Sequence, residues 1–397
     1  MSGRTPDLAD WQQWRLLHQL RSQPHILEAA ATQTGDAMRV QQQLRREFPA
    51  DLVRAALTLV ELRQKAAGKF AAADQMWFDR QGMEQATSEI VATHKAQRFT
   101  GDVIDLCSGI GADAVALAAR CTVVAVDRNP LACLRTQWNA EVAGVADRLQ
   151  PLCADAEQLP LAGQLVHIDP DRRAKGPARS IKLEDYRPDL EFLQELPGRA
   201  RGGAMKLSPA SNFGGKFPNC EIELISLNGE CKEATVWFGE LAGTKSWRAT
   251  VLPGGATLTG NDLEVFAEQS PLGGYLFDPD PAVVRAGLID LAASELGLAR
   301  LDDAEEYLTG ERPIQSPFVR GFEVLADLPN NDKEIRRYFR QADFGQVEIK
   351  CRHIPIQAEA IRKKLPLPGT QAGVLIFARV AGKARGIVCR RLADRDS

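Results

Sequence analysis

Three hydrophobic periodicities follow one another along the chain. Over the first ninety residues, apolar side chains recur at intervals of three and four in LADWQQWRLLHQL, DAMRVQQQLRREF and ADLVRAALTLVELRQKAAGKF, the spacing of one face of an α-helix. The breaks between them, SQPH, QTGD and FPAD, carry the Pro, Gly and Asp that stop and start helices. Trp11, Trp14 and Leu17 share a face of the first helix, and that stripe is expected in the core.

From about Gly101 the period shortens. DVIDLCSG, CTVVAVDRN, LQPLCADA, LVHIDPD and GGAMKLSPA are short apolar runs ending in polar or Gly/Pro elements, with the helical segments ADAVALAAR and LACLRTQWNAEVAG between the early ones. This alternation predicts a doubly wound parallel sheet. EIELISLNG, EATVWFG and WRATVLPGG follow as further strands, and the turns LNGE and LPGG predict antiparallel pairing at the end of the sheet.

After about Asn261 the Pro/Gly-rich PLGGYLFDPDP leads into a helix, AVVRAGLIDLAASELGL. FEVLADL, DKEIRRYFRQA, QVEIKCRH, QAEAIRKKL and GVLIFARV then predict a β-α-β-α-β module, with a further short strand in ARGIVCRRL. Three regions result: helices over 1–95, an α/β sheet domain over 96–262 and a small α+β module over 263–397.

The bulk numbers fit this division. The chain has 397 residues, 44% hydrophobic and 25% charged, enough for a sizeable core and two or three domains. No apolar run approaches the ~18 residues of a membrane span, and MSGRTPDLADWQQW lacks a signal-peptide core; the cytoplasm is the expected compartment. Cysteines 107, 121, 133, 153, 220, 231, 351 and 389 are scattered without C-x-x-C spacing. They are expected reduced and mostly buried, with no metal site. The net charge of −3 hides an asymmetry, since residues 331–397 hold 15 Lys and Arg against 7 Asp and Glu. Such an excess suits contact with a polyanion or simply a solvated surface.

VIDLCSGIGADA sets Gly109, Gly111 and Ala114 where a strand turns into a helix. That spacing fits any dinucleotide fingerprint. The acids discriminate: Asp105 lies in the first strand, Asp127 ends the second, Asp155 follows the third and Asp169 ends the fourth. In a parallel sheet these ends converge on one crevice. A row of acids repels a pyrophosphate and suits a ligand with an ammonium, a ribose and an adenine, which describes S-adenosylmethionine. Asp105 would face the methionine ammonium, with Ser108 and the glycines in the adjoining turn. Asp127 would accept the ribose hydroxyls and Asp155 the adenine amine, unless these acids merely cap helices and turns.

On these motifs the chain resembles the class I S-adenosylmethionine-dependent methyltransferases. EQATSEIVATHKA, VIDLCSGIGADAVALAA, VVAVDRNPLACLRTQWNAEVAGVADRLQPLCAD and HIDPD are similar in order and spacing to the trimethylguanosine synthase branch, whose substrate is RNA cap guanine. MEQAT, IDPDRR, KLSPA, GYLFDPDPAVVRAG and IKCRHIPIQAEAIRKKL resemble a bacterial methyltransferase group with a THUMP-like C-terminal module, from about Leu62 onward. The resemblance implies a Rossmann-like class I methyltransferase domain between the helical region and that module, with RNA as partner. It also implies that Gln85, Ala86 and Thr87 close over the methionine end of the cofactor. From the residues alone, Thr87 is a good N-cap for SEIVATHKAQRF.

Amino-directed nucleic-acid methyltransferases use Asp/Asn-Pro-Pro-aromatic to accept amine hydrogens and stack the base. Asp169 and Pro170 match its first half, while Asp171 and Arg172 replace the second Pro and the ring. Arg172 is suited to stack on a base or fork onto an anion, and Asp171 to act as a second acceptor or to hold Arg173. Lys206 and Ser208 are expected beside this loop. Trp77 and Phe78 would serve either as a stacking surface or, more ordinarily, as core. His167 is expected as a core or supporting residue and His94 on a helix surface. The expected activity is methyl transfer to an RNA base. The alternatives are a small anionic substrate gripped by Arg172, Arg173 and Lys175, and a non-catalytic RNA-binding protein that retains the pocket. A nicotinamide oxidoreductase is disfavoured by the acid row and by the lack of a hydride-site His or Tyr.

Overall fold

The computed structural model describes residues 7–32, 37–172, 182–261 and 263–393. Two compact units partition the chain, Met1–Cys220 with Thr235–Gly243 and Glu221–Ala234 with Thr244–Ser397.

The first unit opens with helices α1 (Leu8–Ser22), α2 (Pro24–Thr32), α3 (Ala37–Leu44) and α4 (Ala50–Ala66). Asp7 and Asp10 form a reciprocal capping box at the start of α1. The SQPH break is itself a helix start: Pro24 is the first residue of α2, where its missing N–H is harmless. The aromatic stripe of α1 departs from expectation. Leu16, Leu17 and Leu20 turn to the core, whereas Trp11 is 50% and Trp14 37% exposed. The tryptophans lie on the flank of the buried face and stack along the helix, Trp11 on Trp14 at 6.1 Å and Trp14 on His18 at 3.9 Å. His18 in turn meets Trp138 at 5.1 Å.

Two short helices follow, α5 (Arg80–Gln85) and α6 (Glu89–Ala96), and then the sheet. Its strands β1 (Val103–Leu106), β2 (Val123–Asp127), β3 (Leu149–Cys153) and β4 (Leu165–Ile168) alternate with α7 (Ala112–Ala118) and α8 (Pro130–Val142). The ribbon β5 (Asp171–Arg172) and β6 (Tyr186–Arg187) leads to α9 (Leu190–Arg199) and β7 (Gly202–Leu207). The strand order β7-β4-β1-β2-β3 is parallel throughout. The chain reverses direction across the sheet between β1 and β4, so the crevice outside their carboxyl ends is the natural ligand site. The register sets Asp105 beside His167 and Asp127 beside Cys153.

In the second unit, β8 (Glu221–Leu227), β10 (Trp247–Leu252) and β11 (Ala256–Gly260) form neighbours in a mixed arrangement, while β9 (Glu230–Gly239) runs through the division of the chain. The LPGG turn makes the expected antiparallel hairpin between β10 and β11, but β10 pairs with β8 in parallel. The rest comprises β12 (Tyr275–Pro279), α10 (Pro281–Arg285), α11 (Ile289–Leu296), β13 (Ala299–Arg300), β14 (Leu308–Gly310), β15 (Val319–Pro329), α12 (Asp332–Gln341), β16 (Phe344–Cys351), α13 (Ala358–Lys364), β17 (Gln371–Val380) and β18 (Lys383–Arg391). Their sheet order is β13-β14-β12-β15-β18-β17-β16. The expected single helix AVVRAGLIDLAASELGL is two, parted at Gly287 with φ 68°. The predicted β-α-β-α-β run appears as β15-α12-β16-α13-β17, and the further strand expected in ARGIVCRRL is β18, nine residues long and lying between β15 and β17.

Cys121, Cys133, Cys220 and Cys389 are buried, whereas Cys153 and Cys351 are exposed. Among the described residues no helix is long and apolar enough to cross a membrane, and no group of three His, Cys, Asp or Glu could hold a metal ion.

Candidate functional site

The turn after β1 is built on Gly111. This residue has φ 85°, precedes the first turn of α7, and a Cβ on it would lie 2.8 Å from Thr136 Cγ2. Left-handed backbone and close approach both demand glycine there. Thr136 Oγ1 donates to the Gly109 carbonyl at 3.0 Å, and Asn139 Nδ2 donates to the Ile110 carbonyl at 2.8 Å. The opposite side of Gly109 is open: among the described residues, its chain neighbours aside, no heavy atom lies within 4 Å of where a Cβ would stand.

Asp127 braces this turn from β2. Its Oδ2 accepts the Gly109 N–H at 2.9 Å and its Oδ1 the Asn129 N–H at 2.8 Å. Burial raises the pKa of Asp127, and those two N–H groups oppose the rise. Asp155 caps the short turn Ala156–Gln158, its Oδ1 accepting the Glu157 N–H at 3.1 Å. The turn-capping role weighed for Asp155 is therefore real, and it leaves Oδ2 out of that hydrogen bond.

Helix α5 rests on the glycine turn. Asp79 Oδ1 accepts the Gly82 N–H at 2.7 Å, and a Cβ on Gly82 would fall 2.4 Å from Ile110 Cγ2. Trp77 and Phe78 belong to the helical core, Trp77 against Trp138 at 4.6 Å and Phe78 against Phe70 at 5.9 Å. Thr87 is not the cap of α6. Ser88 takes that position without a side-chain bond, and the buried Thr87 hydroxyl points inward, donating to Asp113 Oδ2 at 2.5 Å.

Asp113 opens onto a chain of buried ionisable groups. Lys95 Nζ lies 2.8 Å from its Oδ1 and 3.3 Å from His167 Nε2. His167 Nδ1 lies 2.6 Å from Asp105 Oδ1. Burial alone would raise the pKa of Asp113; the neighbouring cations, Lys95 first and Lys206 with it, overcome it and hold the carboxyl well below the usual range. Asp105 goes the other way, raised by burial against the opposing His167 ring. His167 is thus the supporting residue expected from its strand, and His94 is half-buried.

The Asp-Pro loop is anchored from β7. Lys206 Nζ pairs with Asp169 Oδ2 at 2.6 Å and donates to the Gln85 carbonyl at 3.2 Å, so the ends of α5, β4 and β7 meet. Pro170 is buried. Asp171 and Arg172 pair as β5 with Arg187 and Tyr186 of β6. The Tyr186 hydroxyl accepts the Ser208 N–H at 2.9 Å, which ties the ribbon to the end of β7. The expected roles of Arg173 and Lys175, and of the Arg172 side chain, lie outside the described residues.

Comparison with known proteins adds identity to this geometry. An uncharacterized S-adenosylmethionine-dependent methyltransferase of Mycobacterium tuberculosis (strain CDC 1551 / Oshkosh) is 34% identical over 351 residues, 83% of this chain and 94% of that one. The chain belongs to the S-adenosylmethionine-dependent methyltransferases. Profiles of three families match this methyltransferase: a domain of unknown function over residues 13–66, RNA cap guanine-N2 methyltransferase over 100–194, and THUMP domain-like over 319–391. A crystal structure from Porphyromonas gingivalis W83, described as a candidate methyltransferase, shares the fold at TM-score 0.75 and 20% identity, covering 94% of this chain and 99% of that one.

The donor set fits the cofactor. The methyltransferase keeps Asp105 Oδ2 and Ser108 Oγ buried without a hydrogen-bond partner among the described residues, beside the open face of Gly109. An anionic oxygen, a hydroxyl and bare backbone suit an amino-acid ammonium and carboxylate. Lys95 and Asp113 were missed by the sequence argument. A signal for Lys95 existed: it shares the buried face of Val91, Ala92, Ala96 and Phe99, where a lysine is out of place unless paired. Asp113 carried no such signal, because an acid in the first turn of a helix is ordinary.

Proposed function

We propose that this methyltransferase acts on RNA, transferring a methyl group to a nucleobase amine held at Asp169. The observation that carries this reading is the Asp169 carboxylate itself, which stands at the end of β4, 26% exposed and fixed on one oxygen by Lys206. Its other oxygen is available to an amine N–H. The match of residues 100–194 to an RNA cap guanine-N2 methyltransferase profile and of residues 319–391 to a THUMP-like profile supports RNA as the substrate class, as does the basic excess of the C-terminal segment.

In this reading the cofactor supplies a sulfonium methyl group, whose S–C bond breaks as the acceptor nitrogen forms its N–C bond and releases a proton. Everything else is positioning and electrostatics. Asp105 faces the methionine ammonium, with Ser108 beside it, and the open side of Gly109 admits close backbone approach. Asp127 accepts the ribose hydroxyls and Asp155, through its second oxygen, the adenine amine. Thr87 ties the segment from α5 down over the methionine end. Asp169 and the Pro170 carbonyl accept the amine hydrogens. The ribbon of Asp171 and Arg172 shapes the mouth where an aromatic ring would otherwise stack.

Incubation with methyl-labelled cofactor and total RNA tests this. Label is expected in nucleosides after nuclease digestion, and to vanish in Asp169→Ala while cofactor binding persists. Label confined to small metabolites would replace RNA by a small acceptor, and undiminished RNA label in Asp169→Ala would remove that residue from the acceptor site.

A further inference from the structure

The buried chain from Lys95 to Asp105 has a directionality that its geometry dictates. Lys95 and His167 are each 1% exposed. An ammonium only donates hydrogen bonds, and Lys95 Nζ stands 3.3 Å from His167 Nε2, so that nitrogen must present its lone pair. The ring proton then sits on Nδ1 and is donated to Asp105 Oδ1 at 2.6 Å. The other tautomer fails twice. It would aim an N–H at the ammonium and a lone pair at the carboxylate. An imidazolium would likewise set N–H against the ammonium.

The remaining charges are accounted for within the site. Asp113 on α7 pairs with Lys95 of α6 and accepts from Thr87. Asp169, just past the end of β4, pairs with Lys206 on β7. His167 Nε2 is 3.8 Å from Asp113 Oδ1, too long for a hydrogen bond to compete with Lys95. Phe99 packs edge-on against the ring, at 6.4 Å between centroids. One negative charge is left over, on Asp105, whose Oδ2 is buried and has no hydrogen-bond partner among the described residues.

We propose that Lys95 is a positioning residue: by holding His167 as the neutral Nδ1–H tautomer it keeps the Asp105 carboxylate uncompensated for the α-ammonium of S-adenosylmethionine. A buried cation thereby serves a site that needs an anion. A protonated His167 would instead neutralise Asp105, and the ammonium would meet a closed ion pair. The proposal rests on the placement of Asp105 at the cofactor ammonium, which a separate variant tests.

The chain contains five histidines, so nitrogen-15 histidine spectra of the full protein resolve each ring, with His167 assigned by its loss in His167→Gln. At neutral pH the wild-type ring is expected to show the neutral Nδ1–H pattern, before and after cofactor addition. An Nε2–H or imidazolium pattern overturns the proposal, and this measurement needs no variant at Lys95 to fold. In Lys95→Met the ring is expected to gain a proton, calorimetry with S-adenosylmethionine to show affinity reduced about tenfold or more, and binding to release a proton, seen as a heat that depends on the buffer. In Lys95→Arg the wild-type tautomer and affinity are expected to return. Wild-type affinity and no proton release in folded Lys95→Met would overturn the proposal. Asp105→Asn distinguishes the two layers: unchanged cofactor affinity there removes Asp105 from the ammonium, and with it the purpose assigned to Lys95, whatever the tautomer.

Discussion

Asp105 lies near the end of β1 and Asp127 closes the neighbouring β2; they are the same residue type, yet the two sides of the crevice they hold are built differently. Around Asp105 everything is side chain: an imidazole, an ammonium and a second carboxylate, all buried and joined in series. Around Asp127 everything is main chain, since both oxygens accept backbone N–H groups of the turns they brace. A buried ionic series is sensitive to the loss of any member, because the group left behind has neither water nor a partner. A carboxylate braced by backbone at a partly open edge loses less. Damage on the Asp105 side should therefore cost the fold as well as binding, and damage on the Asp127 side mainly binding.

The largest effect is expected from Lys95→Met. Removing the cation leaves Asp113 buried beside Asp105 without its main counter-charge, a change that costs about 3–5 kcal/mol of unfolding free energy in comparable buried pairs. Urea unfolding measures it, and the pH dependence sharpens it. Asp113 is held well below the usual carboxylate range in the wild type, by charges that overcome its burial. A depressed carboxyl contributes stability that is present in full above its unfolded value and is lost progressively as the pH falls from there through the folded one. The wild type should therefore hold this contribution in full at neutral pH and lose it progressively as the pH falls below the ordinary carboxylate range. In Lys95→Met burial acts with less opposition, so the gap between the two proteins should be widest at neutral pH and narrow in acid. A constant gap would mean that Asp113 is not the group left stranded.

This asymmetry also marks where sequence argument reaches its limit. The parallel sheet, the glycine turn and the acids at its strand ends were legible because each obeys a local rule: a short apolar run, a glycine where φ turns positive, a polar residue where the strand stops. Lys206 beside the Asp169 loop was legible for the same reason, as the next strand end. The link from Lys95 to Asp105 was not, since it joins α6, α7, β1 and β4 through contacts up to 72 residues apart. The exposure of Trp11 and Trp14 escaped for a related reason. Periodicity identifies a face of a helix, but the leucines and tryptophans of α1 lie on adjoining stripes, and only packing decides which of them turns inward. The split of the helix after β12 escaped because the apolar period continues across Gly287, whose backbone does not.

On the other side of the crevice, Asp127→Ala is expected to weaken S-adenosylmethionine binding by about 1.5–3 kcal/mol, the range for hydrogen bonds to a charged group. Calorimetry measures that loss, and urea unfolding should show a smaller one, about 1 kcal/mol, for the two N–H bonds at a water-accessible edge. The contrast with Asp105 inverts if unfolding suffers more than binding. Asp127 would then be a brace for the Gly109 turn and no more.

The smallest effect is expected at Asp155, where the two roles of one carboxylate can be separated. Its Oδ1 caps the turn Ala156–Gln158, and loss of such a cap costs about 0.5–2 kcal/mol of stability. Asp155→Asn keeps an oxygen acceptor for the Glu157 N–H and so should leave unfolding nearly unchanged. If Oδ2 also accepts the adenine amine, the carboxamide weakens that bond by removing its charge. The affinity for S-adenosylhomocysteine should then fall a few-fold, in the range of about 1 kcal/mol for one exposed hydrogen bond, whereas the affinity for its inosine counterpart, which has no amine to donate, should not fall. Equal losses for the two nucleosides, or none for either, would leave Asp155 a turn cap and confine recognition on this side of the crevice to Asp127.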